Sequence, residues 1–174
     1  MVSAENGIDY AYRQVGEGTP ALVLLQHFRG NLDNWDPALV DALTRDRRVV
    51  TFDNAGVGRS TGTTPSTIGQ MACDAIAFLE ALDLGAVDLL GFSIGSFVAQ
   101  EIALIRPAVV RRVILASSAP RGAAGMHGWA PDLPGCGARV PVPAPRRVRP
   151  RHRRVPEGVS RSRSALASTA LRVG

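Results

Sequence analysis

Five residues in the middle of the chain have the types and spacing for acyl transfer: Gly91-Phe92-Ser93-Ile94-Gly95. A serine hydroxyl can attack a carbonyl carbon if it is held clear of the backbone and if its surroundings stabilise the oxygen that becomes negative. Glycines two residues to either side leave room for the chain to turn sharply from strand to helix. The serine then stands at the tip of the turn, and the N–H of Ile94 points toward the developing oxyanion. The partial positive charge at the start of the following helix acts at the same place. Taken alone, such a pentapeptide also arises by chance as a plain glycine-rich turn, so its meaning rests on the elements around it.

Those elements have the required order. Residues 86–90 form a short apolar run that predicts a buried strand, and residues 94–106, stopped by Pro107, predict a mostly apolar helix. Upstream, residues 8–15 predict a strand or two short ones. Residues 21–26 are the continuous apolar run of a strand buried on both faces. Asp36 before Pro37 suits an N-cap followed by a first helical position, with the helix running on through Leu39, Leu43 and Thr44. Residues 48–52 predict the next strand, and residues 54–65 a loop with Gly56, Gly58 and Gly62. Thr67 and Gln70 can form a capping box for a helix whose apolar stripe is Ile68, Met71, Ala75, Leu79 and Leu82, ended by Gly85. Residues 112–116 predict a fourth core strand. Apolar strands alternating with helices place the chain in the α/β class, with a mainly parallel sheet covered on both faces.

Two further segments lie at predicted strand ends. The 21–26 strand runs into Gln26-His27-Phe28-Arg29-Gly30-Asn31, with Trp35 beyond, and the 48–52 strand into Asp53-Asn54-Ala55-Gly56-Val57-Gly58-Arg59-Ser60. With the pentapeptide, in this order and spacing, they resemble the α/β-hydrolase superfamily, in its branch of small esterases, perhydrolases and carbon–carbon bond hydrolases, over about residues 8–132. The resemblance implies a three-layer α/β/α hydrolase fold with its C-terminal half missing, and a serine hydrolase acting on an ester, thioester or related acyl bond. It makes Ser93 the nucleophile, Gly91 and Gly95 the elbow glycines, and the Ile94 N–H one donor of an oxyanion hole. The family usually carries His-Gly-X at the end of the earlier strand, where X gives the second donor. Matched by position, X is Phe28, and Gln26 and His27 replace the His and Gly. The segment from Asp53 looks like the family's D-x-x-G-x-G-x-S loop, whose role is structural, so Asp53 is not nominated as catalytic. A serine at the elbow disfavours the branches that use aspartate. No cofactor is implied, and His127, Cys136 and His152 lack metal-ligand spacing.

The family's triad is completed by an acid and a histidine at the ends of later strands. Downstream of residues 112–116 the chain offers only His127, His152, Asp132 and Glu157, none in a strand-end setting. Little or no turnover is therefore expected from this chain alone. The composition also changes. Residues 1–134 hold 10 Arg against 14 Asp and Glu, a net −4, whereas residues 135–174 hold 10 Arg against Glu157, a net +9. That last stretch contains no Phe, Trp, Tyr, Ile or Met but five Pro, too little apolar surface to offset the entropy of ordering it. The expected organisation is a truncated hydrolase domain over residues 1–132 and an Arg/Pro-rich disordered tail over residues 133–174. The tail's composition is that of a GC-rich gene read out of frame.

Other readings stay open at this level. The basic tail could contact nucleic-acid phosphates non-specifically, on a hydrolase fold that has lost its catalysis, although it has no aromatic residue to stack on bases. The intact pentapeptide weighs against a lost activity. No run of eighteen apolar residues is present, which predicts no membrane span. Residues 1–9 have neither the basic nor the apolar region of a secretory signal, which predicts a cytoplasmic protein. Two cysteines make no framework, and Cys73 is expected to be a small core residue outside any disulfide. The expected partner is a small-molecule acyl or ester substrate.

Overall fold

The apolar run near residue 22 forms the strand around which the others assemble. The structure, a computed structural model, describes residues 1–120; residues 121–174, and with them the predicted tail, lie outside the described residues. A short antiparallel ribbon of β1 (Val2–Ser3) and β2 (Asp9–Tyr10) precedes a five-stranded sheet. The sheet comprises β3 (Tyr12–Val15), β4 (Leu22–Leu25), β5 (Val49–Phe52), β6 (Val87–Phe92) and β7 (Val110–Ala116), in the order β3-β5-β4-β6-β7. β3 runs antiparallel at one edge, and the other four strands are parallel.

All four residues of β4 are buried, and they alternate between two cores. Val23 and Leu25 face α2 (Ile68–Ala81) and α3 (Ile94–Ile105), packing with Phe52, Leu89, Phe78 and Ile102. Leu22 and Leu24 face α1 (Pro37–Thr44), packing with Trp35 and Val49 and flanked by Val40 and Leu43. Phe78 of α2 stacks on Phe52 at 4.2 Å between ring centroids and also touches Tyr10. Each such fully buried apolar side chain contributes about 1.5–3 kcal/mol. β4 leads through α1 to β5 on one side, while β6 leads through α3 to β7 on the other. The connections therefore diverge between β4 and β6, and the crevice at their carboxyl ends is the topological switch point where α/β sheets hold ligands.

Several local features differ from expectation. The N-terminal ribbon has strands too short to show a sequence period. Thr67 caps α2 by accepting the Gln70 N–H at 3.2 Å, but the Gln70 side chain turns to the Asp74 carboxylate at 3.0 Å, so only half a capping box forms. α2 ends at Ala81, and Asp83, with φ 48°, takes the first left-handed position after it, ahead of Gly85 at φ 67°. Cys73, on the buried side of α2, belongs to a disulfide, against the reading of it as a plain core residue.

β7 forms the open edge of the sheet among the described residues, and Ile114 is 50% exposed there. At the start of β7 the register slips, so that Val87 pairs with Val110 and Asp88 with Arg112. The intervening Arg111 bulges and grips Asp88 with two bonds, Nε to Oδ1 at 2.8 Å and Nη2 to Oδ2 at 2.6 Å. Arg47 adds a second guanidinium at 3.5 Å. The Arg111 hydrogen bonds outweigh burial and hold the Asp88 carboxyl below its ordinary value of 3.8. A carboxyl with a lowered folded-state pKa stabilises the fold fully above its unfolded value and loses that contribution as pH falls through the folded one. Asp88→Asn is therefore expected to lower the urea midpoint of unfolding at pH 7. The difference from the unmodified chain should shrink steadily below pH 4, and urea titrations across pH 2–7 measure it.

Candidate active site

The site lies where β6 meets α3. Ser93 has φ 53° and ψ −118°, a backbone region that residues with a Cβ avoid, and such strain costs on the order of 1–3 kcal/mol. Its neighbours hold it there. The Ser93 N–H donates to the Ala116 carbonyl of β7 at 3.0 Å. The Ser93 carbonyl accepts both the Ser96 N–H at 2.9 Å and the Ser96 hydroxyl at 2.6 Å. Gln100, one helical turn further on, bonds the Ser118 hydroxyl at 3.1 Å and the Ala119 carbonyl at 3.2 Å, which ties the segment after β7 to α3.

The two glycines are required by close approach. A Cβ on Gly91 would fall 2.5 Å from the Ser96 Cα. A Cβ on Gly95 would collide with the Leu25 carbonyl and lie 2.7 Å from that of Gln26. The start of α3 therefore rests directly on the end of β4, and that contact brings the second segment beside the first.

That second segment is a tight turn over residues 27–30. The Gly30 N–H donates to the His27 carbonyl at 3.1 Å, and Arg29, at φ 60°, supplies the positive φ that the third position of a type II turn requires. The Gln26 Oε1 accepts the His27 N–H at 2.9 Å, and His27 Nδ1 lies 2.9 Å from the Phe28 carbonyl. The His27 ring stands edge-on to Phe92, with centroids 6.0 Å apart and planes at 88°. Gly30 leaves room for this packing, since a Cβ there would fall 3.0 Å from the His27 ring and against Gln26. The Phe28 ring is 61% exposed. Neither the Phe28 N–H nor the Ile94 N–H donates to any described residue, and no described residue bonds the Ser93 hydroxyl. The buried Gln26 Nε2 has no described partner either.

Asp53 anchors both neighbouring loops. Its carboxylate accepts the Leu32 N–H at 2.7 Å and the Arg59 N–H at 2.8 Å, and its carbonyl accepts the Ser60 hydroxyl at 2.7 Å. Gly58 lies so near that a Cβ would meet this carboxylate. Asp53 thus has the structural role expected of it.

The structure brings Gly91, Ser93, Ile94 and Gly95 together at the carboxyl end of β6, with Phe28 beyond the carboxyl end of β4. His127, Asp132, Cys136, His152 and Glu157 lie outside the described residues. Sequence reasoning passed over Ser96, Gln100 and the hydrogen bonds of Gln26 and His27. Ser96, three residues after Ser93 on the same helix face, was the one with a spacing signal. Among the described residues no group of three or more His, Cys, Asp or Glu could hold a metal ion, and no helix is long and apolar enough to cross a membrane.

Comparison with known proteins agrees with this geometry. A family profile described as the alpha/beta hydrolase fold matches residues 20–141, and the chain belongs to that family. It is similar to an alpha/beta hydrolase fold protein from Chitinophaga pinensis, with 45% identity and a TM-score of 0.64 over 66% of this chain and 42% of that one. It is similar to the esterase EaEST from Exiguobacterium antarcticum, with 27% identity and a TM-score of 0.59 over 66% and 43% of the two chains. A Mycobacterium tuberculosis protein assigned as the non-heme bromoperoxidase BpoC shares 33% identity over 115 residues, 66% of this chain and 44% of the relative. The chain thus spans less than half the length of each of these relatives.

The anchoring by Asp53 has a measurable consequence. Asp53→Ala leaves the Leu32 and Arg59 N–H groups without an acceptor and is expected to lower the unfolding free energy by about 2–4 kcal/mol. Asp53→Asn keeps one side-chain acceptor and should cost about half as much. Urea denaturation of the two variants checks both values.

Proposed function

We propose that the chain carries the nucleophile-bearing part of a serine hydrolase that acts on a small ester, thioester or related acyl bond through Ser93. The observation that carries this reading is the strained Ser93 at the switch point, with its hydroxyl and the Ile94 and Phe28 N–H groups at adjoining strand ends all without a hydrogen-bond partner among the described residues. In the reaction the Ser93 Oγ bonds to the acyl carbon and the carbonyl oxygen takes up negative charge. The two N–H groups and the start of α3 stabilise that charge, worth about 10²–10³ in rate for each oxyanion donor. The esterase among the similar structures supports an acyl substrate.

A serine hydroxyl at neutral pH is a weak nucleophile without a base, and no described residue bonds the hydroxyl of Ser93. Loss of the histidine in one serine protease costs about 10⁶ in kcat. The chain alone is accordingly read as turning over little substrate. In this reading the hydrolase domain covers residues 1–132, and residues 133–174 are an Arg/Pro-rich segment that contributes no triad residue.

Supplying the base from solution tests the reading. The full chain is incubated with p-nitrophenyl acetate in imidazole buffer, digested and analysed by mass spectrometry. The expected result is a stoichiometric acetyl group on the peptide containing Ser93, absent in Ser93→Ala, with no sustained turnover. Acetylation no greater at Ser93 than at exposed serines would sink the nucleophile assignment. Rapid sustained turnover without imidazole would contradict the absence of a base.

A further inference from the structure

We propose that Ser96 is a positioning residue for the first oxyanion donor: its hydroxyl holds the peptide unit between Ser93 and Ile94 in the orientation that turns the Ile94 N–H toward the acyl oxygen. This rests on the reading of Ser93 as the nucleophile.

One peptide unit carries the inference. The Ser93 carbonyl and the Ile94 N–H both belong to it, and in a trans unit they point in opposite directions. Whatever fixes that carbonyl therefore fixes that N–H. Both ends of the unit are anchored. Ser93 is tied through its own N–H to the Ala116 carbonyl at 3.0 Å. Ile94 packs its side chain against the larger core. The freedom that remains is rotation about the line joining the two α-carbons, which swings carbonyl and N–H together.

The backbone of Ser93 does not settle that rotation by helical geometry. Its φ of 53° and ψ of −118° lie outside the helical region. Ser96 settles it with two donors to the Ser93 carbonyl, its N–H at 2.9 Å and its hydroxyl at 2.6 Å. A carbonyl oxygen has two lone pairs, and these donors occupy both. The N–H alone would leave the unit free to tilt about a single bond, and the hydroxyl adds the second point that fixes it. The hydroxyl also acts on donor strength. A proton donated to the carbonyl polarises the peptide unit, so the N–H at its other end donates more strongly.

Ser96 is itself held in place. It is fully buried, and its Cα lies so close to β6 that a Cβ on Gly91 would fall 2.5 Å from it. The first glycine of the elbow thus makes room for the residue that orients the donor.

Two substitutions isolate the hydroxyl. Ser96→Ala removes it and keeps the backbone N–H, while Ser96→Thr keeps a hydroxyl on the same carbon. The first readout is the initial rate of Ser93 acetylation by p-nitrophenyl acetate in imidazole buffer. In that step the Oγ–acyl bond forms, the aryl ester bond breaks, p-nitrophenolate leaves with the electron pair, and imidazole takes the serine proton. The second readout is the NMR shift of the Ile94 amide proton before and after Ser93 is phosphonylated by a p-nitrophenyl phosphonate at alkaline pH. There the Oγ–P bond forms, p-nitrophenolate leaves, and hydroxide takes the proton. A hydrogen bond from Ile94 to the phosphonyl oxygen moves its proton downfield.

Ser96→Ala is expected to acetylate about threefold to tenfold more slowly, short of the roughly 10²–10³ lost with a whole donor, and Ser96→Thr to stay within about twofold of the unmodified chain. The downfield movement of the Ile94 proton is expected to be smaller in Ser96→Ala than in the unmodified chain. A Ser96→Ala variant that acetylates at the unmodified rate would overturn the proposal. So would a slower Ser96→Ala whose Ile94 proton moves as far as in the unmodified chain, because the loss would then lie elsewhere in the fold. Failure of the nucleophile reading looks different: Ser93→Ala would acetylate like the unmodified chain, and both readings would fall together.

Discussion

The approach of α3 to the end of β4 is the constraint on which the rest of the site depends. Gly95 sits against the Leu25 and Gln26 carbonyls with no space for a side chain, and Gly91 sits equally close beneath Ser96. Because of that contact, the residue at the tip of the β6–α3 turn and the loop leaving β4 share one crevice. Widening the gap by a methyl group at either glycine would separate the hydroxyl of Ser93 from the Phe28 N–H. The burial of β4 on both faces serves the same end, since a strand packed between α1 on one side and α2 with α3 on the other offers a fixed floor.

A strained residue on that floor needs bonds to hold it. Ser93 is tied through its own N–H to β7 and through its carbonyl to Ser96, so the elbow is fixed from two directions. The loop after β4 is fixed from three: by its own turn hydrogen bond, by the side chains of Gln26 and His27, and by Asp53 beneath Leu32. Asp53 also holds the Gly58 loop, so one buried carboxylate orders the ends of two strands. At the opposite end of the sheet the bulged Arg111 and Asp88 set the register of β7, and through Ala116 that register reaches Ser93.

The sequence discloses those parts whose chemistry is local. Gly91, Ser93 and Gly95 were readable because each glycine answers a steric need that any such turn has. The alternation of apolar runs with helical stripes was readable because β4, β5 and β6 are buried and carry few polar residues. Asp36 and Pro37 capped α1 as their types require. What could not be read depends on distant partners or on one side-chain rotamer. Gln70 is satisfied by Asp74 rather than by the backbone of its cap, Asp83 turns left-handed ahead of Gly85, and Arg111 is set by a bulge that no period reveals. His27 is the sharpest case. As a departure from the family's glycine it signals only a change, and its edge-on contact with Phe92 and its bond to the Phe28 carbonyl depend on one rotamer.

The most direct test of the oxyanion geometry is a crystal structure of the chain after slow phosphonylation of Ser93 at alkaline pH. If the Ile94 and Phe28 N–H groups form the hole, the phosphonyl oxygen will lie within about 3 Å of both nitrogens, the distance at which such donors act. An oxygen turned to solvent, or bonded to Ile94 with the Phe28 N–H directed elsewhere, would contradict the assignment of the 27–30 turn to the active site.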